Sequence, residues 1–324
     1  YLLEVLKNRY MKFALAGIIV FLAYHPVRFS VSNHPYEYIY YNQLTGGLKG
    51  AYGNYETDYY YTGQTEASEW LINYLKEKDI DSALVRATFS VDWSFRKHPG
   101  IKTSYFRYEE RSQYDWDYAI ITNRYIPPYQ LKNNIWPPSN SIHKILVDDV
   151  PICIVLKRDT KTDYLGYKAL TEGRYSDAIR FFQEALNFND RDEMIFYNFA
   201  RALNENGLSL KADSALRKAL QINPDSEPVL MYCGNLAAQR KDRDKAVMYY
   251  ERLLSANRKY YEAYVKLSGL IVDKDLLRAR ELLRECLRLN PHYKPAIIAL
   301  GDTYRENDPV IAEKYYKMAD TIIN

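Results

Sequence analysis

Between residues 159 and 320, small and apolar side chains recur in a fixed frame. Ala178, Ala212, Ala246 and Ala279 stand 34, 34 and 33 residues apart. The first is framed by Gly166, Phe182 and Ala185, and the second by Ala200, Leu216 and Ala219. The third has Gly234, Tyr250 and Leu253; the fourth has Ser268, Leu283 and Cys286. A fifth run, Leu300-Gly301, Ala312, Tyr316 and Ala319, is one residue short in its turn. This spacing predicts helices in pairs. The small residues let the two helices of a pair cross closely, and the larger ones fill the gap to the next pair. Gly173 and Gly207 fall in the expected turns, and Pro224 and Pro291 follow the second helix of their pairs.

The frame resembles the tetratricopeptide repeat over residues 159–320. The resemblance implies a superhelix of about five helix pairs, with a concave wall lined by the first helix of each. Carried onto this chain, the wall positions are Tyr164 and Tyr167; Tyr197, Asn198 and Arg201; Met231, Tyr232 and Asn235; and Lys266. Asn198, Arg201 and Asn235 suit an extended backbone or a terminal carboxylate, with aromatic rings beside them. A protein or peptide partner is the expectation. The alternative is a solvated groove, or one that holds the preceding domain.

Upstream, Phe13 to Val31 is largely apolar, and as a helix it would extend about 28 Å, near the thickness of a hydrocarbon core. His25, Pro26 and Arg28 interrupt its second half, leaving twelve clean apolar residues. Lys7, Arg9 and Lys12 precede it, which places that end in the cytoplasm if the segment spans a membrane. A signal peptide starting at Met11 and a buried soluble helix are the other two readings. The start at Tyr1 fits a piece of a longer protein.

Residues 33–158 alternate differently. Thr65–Lys78 predicts an amphipathic helix with Ala67, Trp70, Leu71, Tyr74 and Leu75 on one face, capped by Thr62 or Thr65. Ser82–Ser90, Ser104–Tyr108, Tyr118–Thr122, His143–Val147 and Pro151–Lys157 predict strands, the last two joined by a turn at Asp148-Asp149. The fold class is therefore α+β: an N-terminal, transmembrane helix (1–32), a small α/β domain (33–158) and the helical repeats (159–324).

Composition narrows the chemistry. A net charge of +3 gives no nucleic-acid footprint. Tyrosine is abundant, 33 against 11 Phe and 4 Trp, which suits half-wet positions such as a membrane interface, a glycan platform or a seam between domains. It equally suits a modest core in which Tyr replaces Phe. Cys153, Cys233 and Cys286 read as buried thiols rather than a disulfide framework, and the five histidines never fall at metal-ligand spacing. We expect no metal and no cofactor. Glu56 and Asp58 form a pair of neighbouring acids, and Gly46-Gly47-Leu48-Lys49-Gly50 is a glycine-rich stretch of the kind that cradles phosphate. Both are better read as a turn-rich segment whose acids accept backbone hydrogen bonds. Three Asp-Ser/Thr-apolar triplets, at Asp81, Asp213 and Asp320, resemble an O-glycosylation acceptor pattern and receive little weight.

The stretch His34-Pro35-Tyr36, Tyr40-Tyr41-Asn42, Gly46-Gly47 through Ala51 and Tyr55-Glu56-Thr57-Asp58-Tyr59 resembles the region after the last membrane helix of bacterial GT-C class glycosyltransferases, akin to protein O-mannosyltransferases. Asp117 to Arg124 and Val150 to Leu156 resemble the end of that region, so the likeness covers about residues 12–158. It implies a bacterial inner-membrane enzyme with everything beyond residue 32 in the periplasm. It further implies a polyprenyl-phosphate-linked sugar donor and catalytic acids upstream of this chain. No catalytic residue carries over. A membrane-anchored repeat scaffold without enzymatic activity is the rival expectation, and a soluble carbohydrate-binding module the third.

Overall fold

The computed structural model describes residues 9–322. The chain divides at Leu208 into two compact units. The first holds helix α1 (Arg9–Ser32), an α/β layer and the first three repeat helices. Lys7, one of the charges used to orient α1, lies outside the described residues.

The α/β layer contains α2 (Gly47–Ala51), α3 (Thr62–Glu77), β1 (Ala83–Ala87), α4 (Asp92–Phe95), β2 (Ile101–Tyr105), β3 (Tyr118–Thr122), α5 (Pro128–Lys132), β4 (Ser141–Val147) and β5 (Val150–Lys157). The sheet order is β2-β1-β3-β5-β4, with β1 parallel to both β2 and β3, and β5 antiparallel to β3 and β4. Asp148 and Asp149 both take positive φ in the β4–β5 turn, the conformation that a two-residue hairpin needs. That turn and four of the five strands lie where the alternation predicts them. The strand expected at Ser104–Tyr108 instead occupies Ile101–Tyr105, because Phe106 turns into the core and residues 108–113 coil into a short 3-10 helix.

Helix α3 starts three residues earlier than its apolar periodicity indicates, and neither Thr62 nor Thr65 caps it. The cap residue is Tyr61, in a left-handed conformation with no side-chain bond to the helix. The buried Asp58 carboxylate takes over that task, accepting from the Gly63 amide at 3.3 Å. Ala67, Leu71 and Leu75 then bury against Val85, Ile120, Ile152 and Val155 on one face of the sheet. Phe106, Trp116, Ile121, Trp136 and Ile154 fill the opposite face. Every residue of β3 is buried, as expected for a central strand covered on both sides.

The repeat helices follow as α6 (Thr162–Thr171), α7 (Tyr175–Phe188) and α8 (Glu193–Glu205) in the first unit. In the second come α9 (Ser209–Ile222), α10 (Glu227–Gln239), α11 (Arg243–Ala256), α12 (Tyr261–Ile271), α13 (Leu276–Leu289), α14 (Lys294–Asp302) and α15 (Pro309–Asp320). The alanines of the frame are all buried. The glycines have a direct steric reason. A Cβ at Gly166 would meet the Phe182 ring at 2.8 Å, and one at Gly234 would meet Tyr250 at 2.5 Å. Two further marks repeat with the frame. Asn189, Asn223, Asn257 and Asn290 end their helices, each accepting with its side chain from the amide two residues on. Asp242, Asp275 and Asp308 cap the helices that follow them.

Candidate partner-binding site

In the first unit, α6 presents Tyr164 and Tyr167, and α8 presents Tyr197, Asn198 and Arg201. Asn198 is buried, and its Oδ1 accepts from Arg201 Nη1 at 3.1 Å. The Arg201 guanidinium lies 5.5 Å from the Tyr197 ring and 6.0 Å from that of Tyr167. These four side chains therefore form one cluster, in which an amide holds a half-buried cation between two aromatic faces. The planar fork of a guanidinium matches the geometry of a carboxylate.

In the second unit, Met231, Tyr232 and Asn235 sit on α10 and Lys266 on α12. Met231 is buried in the core of the helix pairs, and Asn235 accepts from the Tyr250 hydroxyl at 2.7 Å. Lys266 is exposed, 4.0 Å from Glu262. Here, packing and internal hydrogen bonds occupy Met231 and Asn235.

The acids and glycines upstream do different work. Glu56 is exposed and pairs with Arg124 at 3.2 Å. Asp58 is buried, accepts from the Tyr38 hydroxyl at 2.5 Å, and has its carboxyl raised above the usual range, chiefly by burial. Each acid thus has its own partner, Arg124 for Glu56 and Tyr38 for Asp58. The amides of Gly46, Gly47 and Gly50 donate to Gln43, Asn42 and Gly46 carbonyls, so the glycine-rich stretch is a turn whose donors are used. All three cysteines are buried. Burial pushes the Cys153 thiol well up and holds Cys233 at about 12 and Cys286 at about 11, which removes them from thiolate chemistry.

Two features had no signal in spacing alone. Arg111, in the 3-10 turn before β3, makes a buried fork onto Asp192, at 2.8 Å from Nε and 2.5 Å from Nη2. Asp192 in turn caps α8 through the Met194 and Ile195 amides. Arg158 at the end of β5 makes a second fork onto Asp163 of α6. Through these pairs the α/β layer and the first repeat helices become one unit. The second feature is the aromatic surround of Arg124, whose guanidinium lies 5.1 Å from the Tyr59 ring and 5.4 Å from that of Tyr61. The tyrosine count hinted at it, but the arginine at its centre came only with the fold.

Helix α1 is long and apolar enough to cross a membrane. Ile18, Ile19 and Phe21 are 55%, 57% and 72% exposed, so they are not part of a soluble core. Its length and composition suit a membrane anchor and a signal sequence alike.

A model of the tetratricopeptide repeat matches residues 195–226. A BBSome complex member BBS4 homolog of Drosophila melanogaster is 28% identical over 166 residues, 46% of this chain and 34% of that protein. Among solved structures, a MamA protein is 21% identical over 49% of this chain and 87% of its own, with a TM-score of 0.43. Pseudomonas aeruginosa pilF is 22% identical over 49% of this chain and 74% of its own, with a TM-score of 0.43. YrrB, described as a tetratricopeptide-repeat protein with an unusual peptide-binding site, is 16% identical over 51% and 86%, with a TM-score of 0.42. The chain spans about a third of the length of the curated relative it matches. Residues 195–226 hold a tetratricopeptide repeat.

Proposed function

We propose that this chain is a membrane-anchored docking module. In this reading α1 is held in a bilayer, residues 33–158 form a domain beside it, and residues 159–324 bind a protein or peptide partner. The observation that carries it is the contrast in exposure. From Phe13 to Val27, α1 leaves its large apolar side chains uncovered in one continuous run, whereas the exposed ones of the repeat helices, such as Phe188, Leu210 and Leu277, are scattered among buried neighbours. Moving each such side chain from water into hydrocarbon is worth about 1.5–3 kcal/mol. Tetratricopeptide repeats serve as protein-interaction scaffolds, and the Drosophila relative is by its name a member of a complex, which supports an assembly role. The partner surface comprises Tyr164, Tyr167, Tyr197, Asn198 and Arg201 in the first unit. In the second unit Tyr232 and Lys266 are separate candidates, Met231 and Asn235 being taken up by packing and by Tyr250. Flotation of the intact chain with lipid vesicles tests the anchor. It should float, and the pair Ile19→Arg and Phe21→Arg should remain at the bottom of the gradient. An intact chain that stays soluble without lipid or detergent overturns the reading.

The finer reading is the C-terminal, non-catalytic part of a glycosyltransferase that uses a polyprenyl-phosphate-linked sugar, with residues beyond 32 in the periplasm. What favours it is the resemblance over residues 12–158 together with the element order: an exposed apolar helix leads directly into an α/β layer. It requires upstream apolar spans and an acidic extracytoplasmic loop. A natural start at Met11 would leave the scaffold reading alone.

A further inference from the structure

Several contacts place one end of the α/β layer beside the exit of α1. Phe29 near the end of α1 is buried, its ring 5.4 Å from that of Tyr40. Just past the helix, Asn33 donates to Asp148 of the β4–β5 turn at 3.1 Å. Further along β5, Cys153 pairs with Thr122, the last residue of β3, and β1 runs parallel beside it. The carboxyl ends of β1 and β3 thus face the same way as that turn. Arg28 is the last charged residue of α1, and Asn33 lies only about 8 Å further along the helix rise. The polar headgroup layer is about 5–8 Å deep on each side of the hydrocarbon. A bilayer that holds α1 as far as Arg28 therefore brings its headgroups to this end of the domain.

The side chains there are aromatic, apolar and wet. Leu44 is 99% exposed and Tyr60 is 68% exposed, the latter with its ring edge-on to Tyr38 at 5.0 Å. Tyr61, after the Asp58 turn, stacks on Phe89, after β1, with centroids 4.0 Å apart. Two cations of the rim are locally neutralised: Lys49 meets Asp149 at 3.0 Å and Arg124 meets Glu56 at 3.2 Å. Rings with an apolar body and a polar tip partition to the headgroup level, and a paired set of charges adds no attraction for anionic lipid.

We propose that this rim is a second membrane contact, lying in the headgroup layer of an uncharged lipid surface and holding the α/β layer against the bilayer. It rests on the anchored reading of α1. The test uses the full chain in phosphatidylcholine vesicles, with a thiol-reactive fluorophore at Leu44→Cys, Tyr60→Cys or the control Glu77→Cys. The three native thiols are buried. Glu77 is exposed at the far end of α3, about 22 Å from Thr62 along the helix rise. A quencher on the lipid headgroup should reduce emission at positions 44 and 60 several-fold more than at 77. Added salt, or phosphatidylserine in place of part of the lipid, should leave that difference unchanged. A chain that floats while all three labels quench equally removes the rim and leaves the anchor. A rim signal that needs phosphatidylserine overturns the uncharged contact, and a chain that does not float overturns both readings.

Discussion

The helix pairs of residues 209–322 and the α/β layer of the first unit are held by opposite means. In the helix pairs the decisive contacts are short in sequence: Gly234 makes room for Tyr250, Asp242 caps its own helix, and Asn257 closes its own turn. In the α/β layer they are long: β1 pairs with two other strands, and Arg111 reaches Asp192, 81 residues away. Local contacts come in several copies with one chemistry. The long ones each differ in chemistry. A repeat array therefore spreads a lesion over neighbours of the same kind, whereas the layer is joined to the repeats through a few unlike groups, the Arg111–Asp192 and Arg158–Asp163 forks.

The largest expected effect follows from that. Arg111→Ala leaves Asp192 and Glu193 buried without their cation, and should cost about 3–5 kcal/mol of first-unit stability in urea denaturation. Its pH dependence has a definite sign. Burial already raises the Glu193 carboxyl while Arg111 pulls it down, so removing Arg111 raises it further. A carboxyl raised in the folded state favours the protonated form. The deficit should thus be smallest below the ordinary glutamate range and grow as pH rises through the raised value. A loss under about 1 kcal/mol would dissolve the contrast between the two regions, since a pair worth that little resembles an ordinary surface ion pair.

Next in size is Gly234→Ala in the helix pairs. The new Cβ would sit 2.5 Å from a Tyr250 ring whose hydroxyl is tied to Asn235. Overpacking of this kind costs about 1–3 kcal/mol, offset in part by up to about 1 kcal/mol from the better helix propensity of alanine. Pairing it with Tyr250→Leu should restore much of the melting temperature, because the clash is with the ring. Failure of that rescue would show that the glycine is needed for its backbone instead.

What could be read from the chain divides along the same line. The repeat frame, its small-large pairs and the turns at Gly173 and Gly207 were legible because each rule operates within about 34 residues and recurs. The Asp148-Asp149 turn and strand β3 were legible for the same local reason. Strand β2 was misplaced because its edge position buries little, so its alternation carries almost no signal. The cap of α3 was missed because Asp58 acts from outside the helix, through a turn in which Asp58 and Tyr61 both have positive φ. At the candidate site, Tyr167, Tyr197, Asn198 and Arg201 lie in one cluster. The frame could not tell that Met231 and Asn235 would be taken up by packing and by Tyr250.

Asp58 offers a smaller effect with a clear direction. Burial raises its carboxyl, outweighing the opposing bonds from Tyr38 and from the Gly63 and Thr62 amides and the charge of Arg124. The neutral form is favoured in the fold. Its contribution is full below the unfolded value of about 3.9 and is lost as pH rises through the folded one. Asp58→Asn keeps a neutral acceptor for the Gly63 amide. Urea midpoints between about pH 4 and pH 8 should fall less steeply for this variant than for the parent. A steeper fall would mean that the ionised carboxylate is what holds the start of α3.

Arg201→Ala should move stability least and recognition most. The guanidinium is half-buried and bonds to Asn198, with the aromatic rings at 5.5 Å or more. Its loss should cost about 0.5–1 kcal/mol at most, with the melting curve nearly unchanged. A hydrogen bond to a charged ligand group is worth about 1.5–3 kcal/mol, which corresponds to tenfold or more in affinity. The readout is discrimination. Peptides that bind the parent should favour a free C-terminal carboxylate over the same peptide amidated, and Arg201→Ala should bind both equally weakly. If the parent makes no distinction, the cluster on α6 and α8 is not a carboxylate site. If the variant instead melts well below the parent, Arg201 belongs with Arg111 among the groups that hold the first unit together.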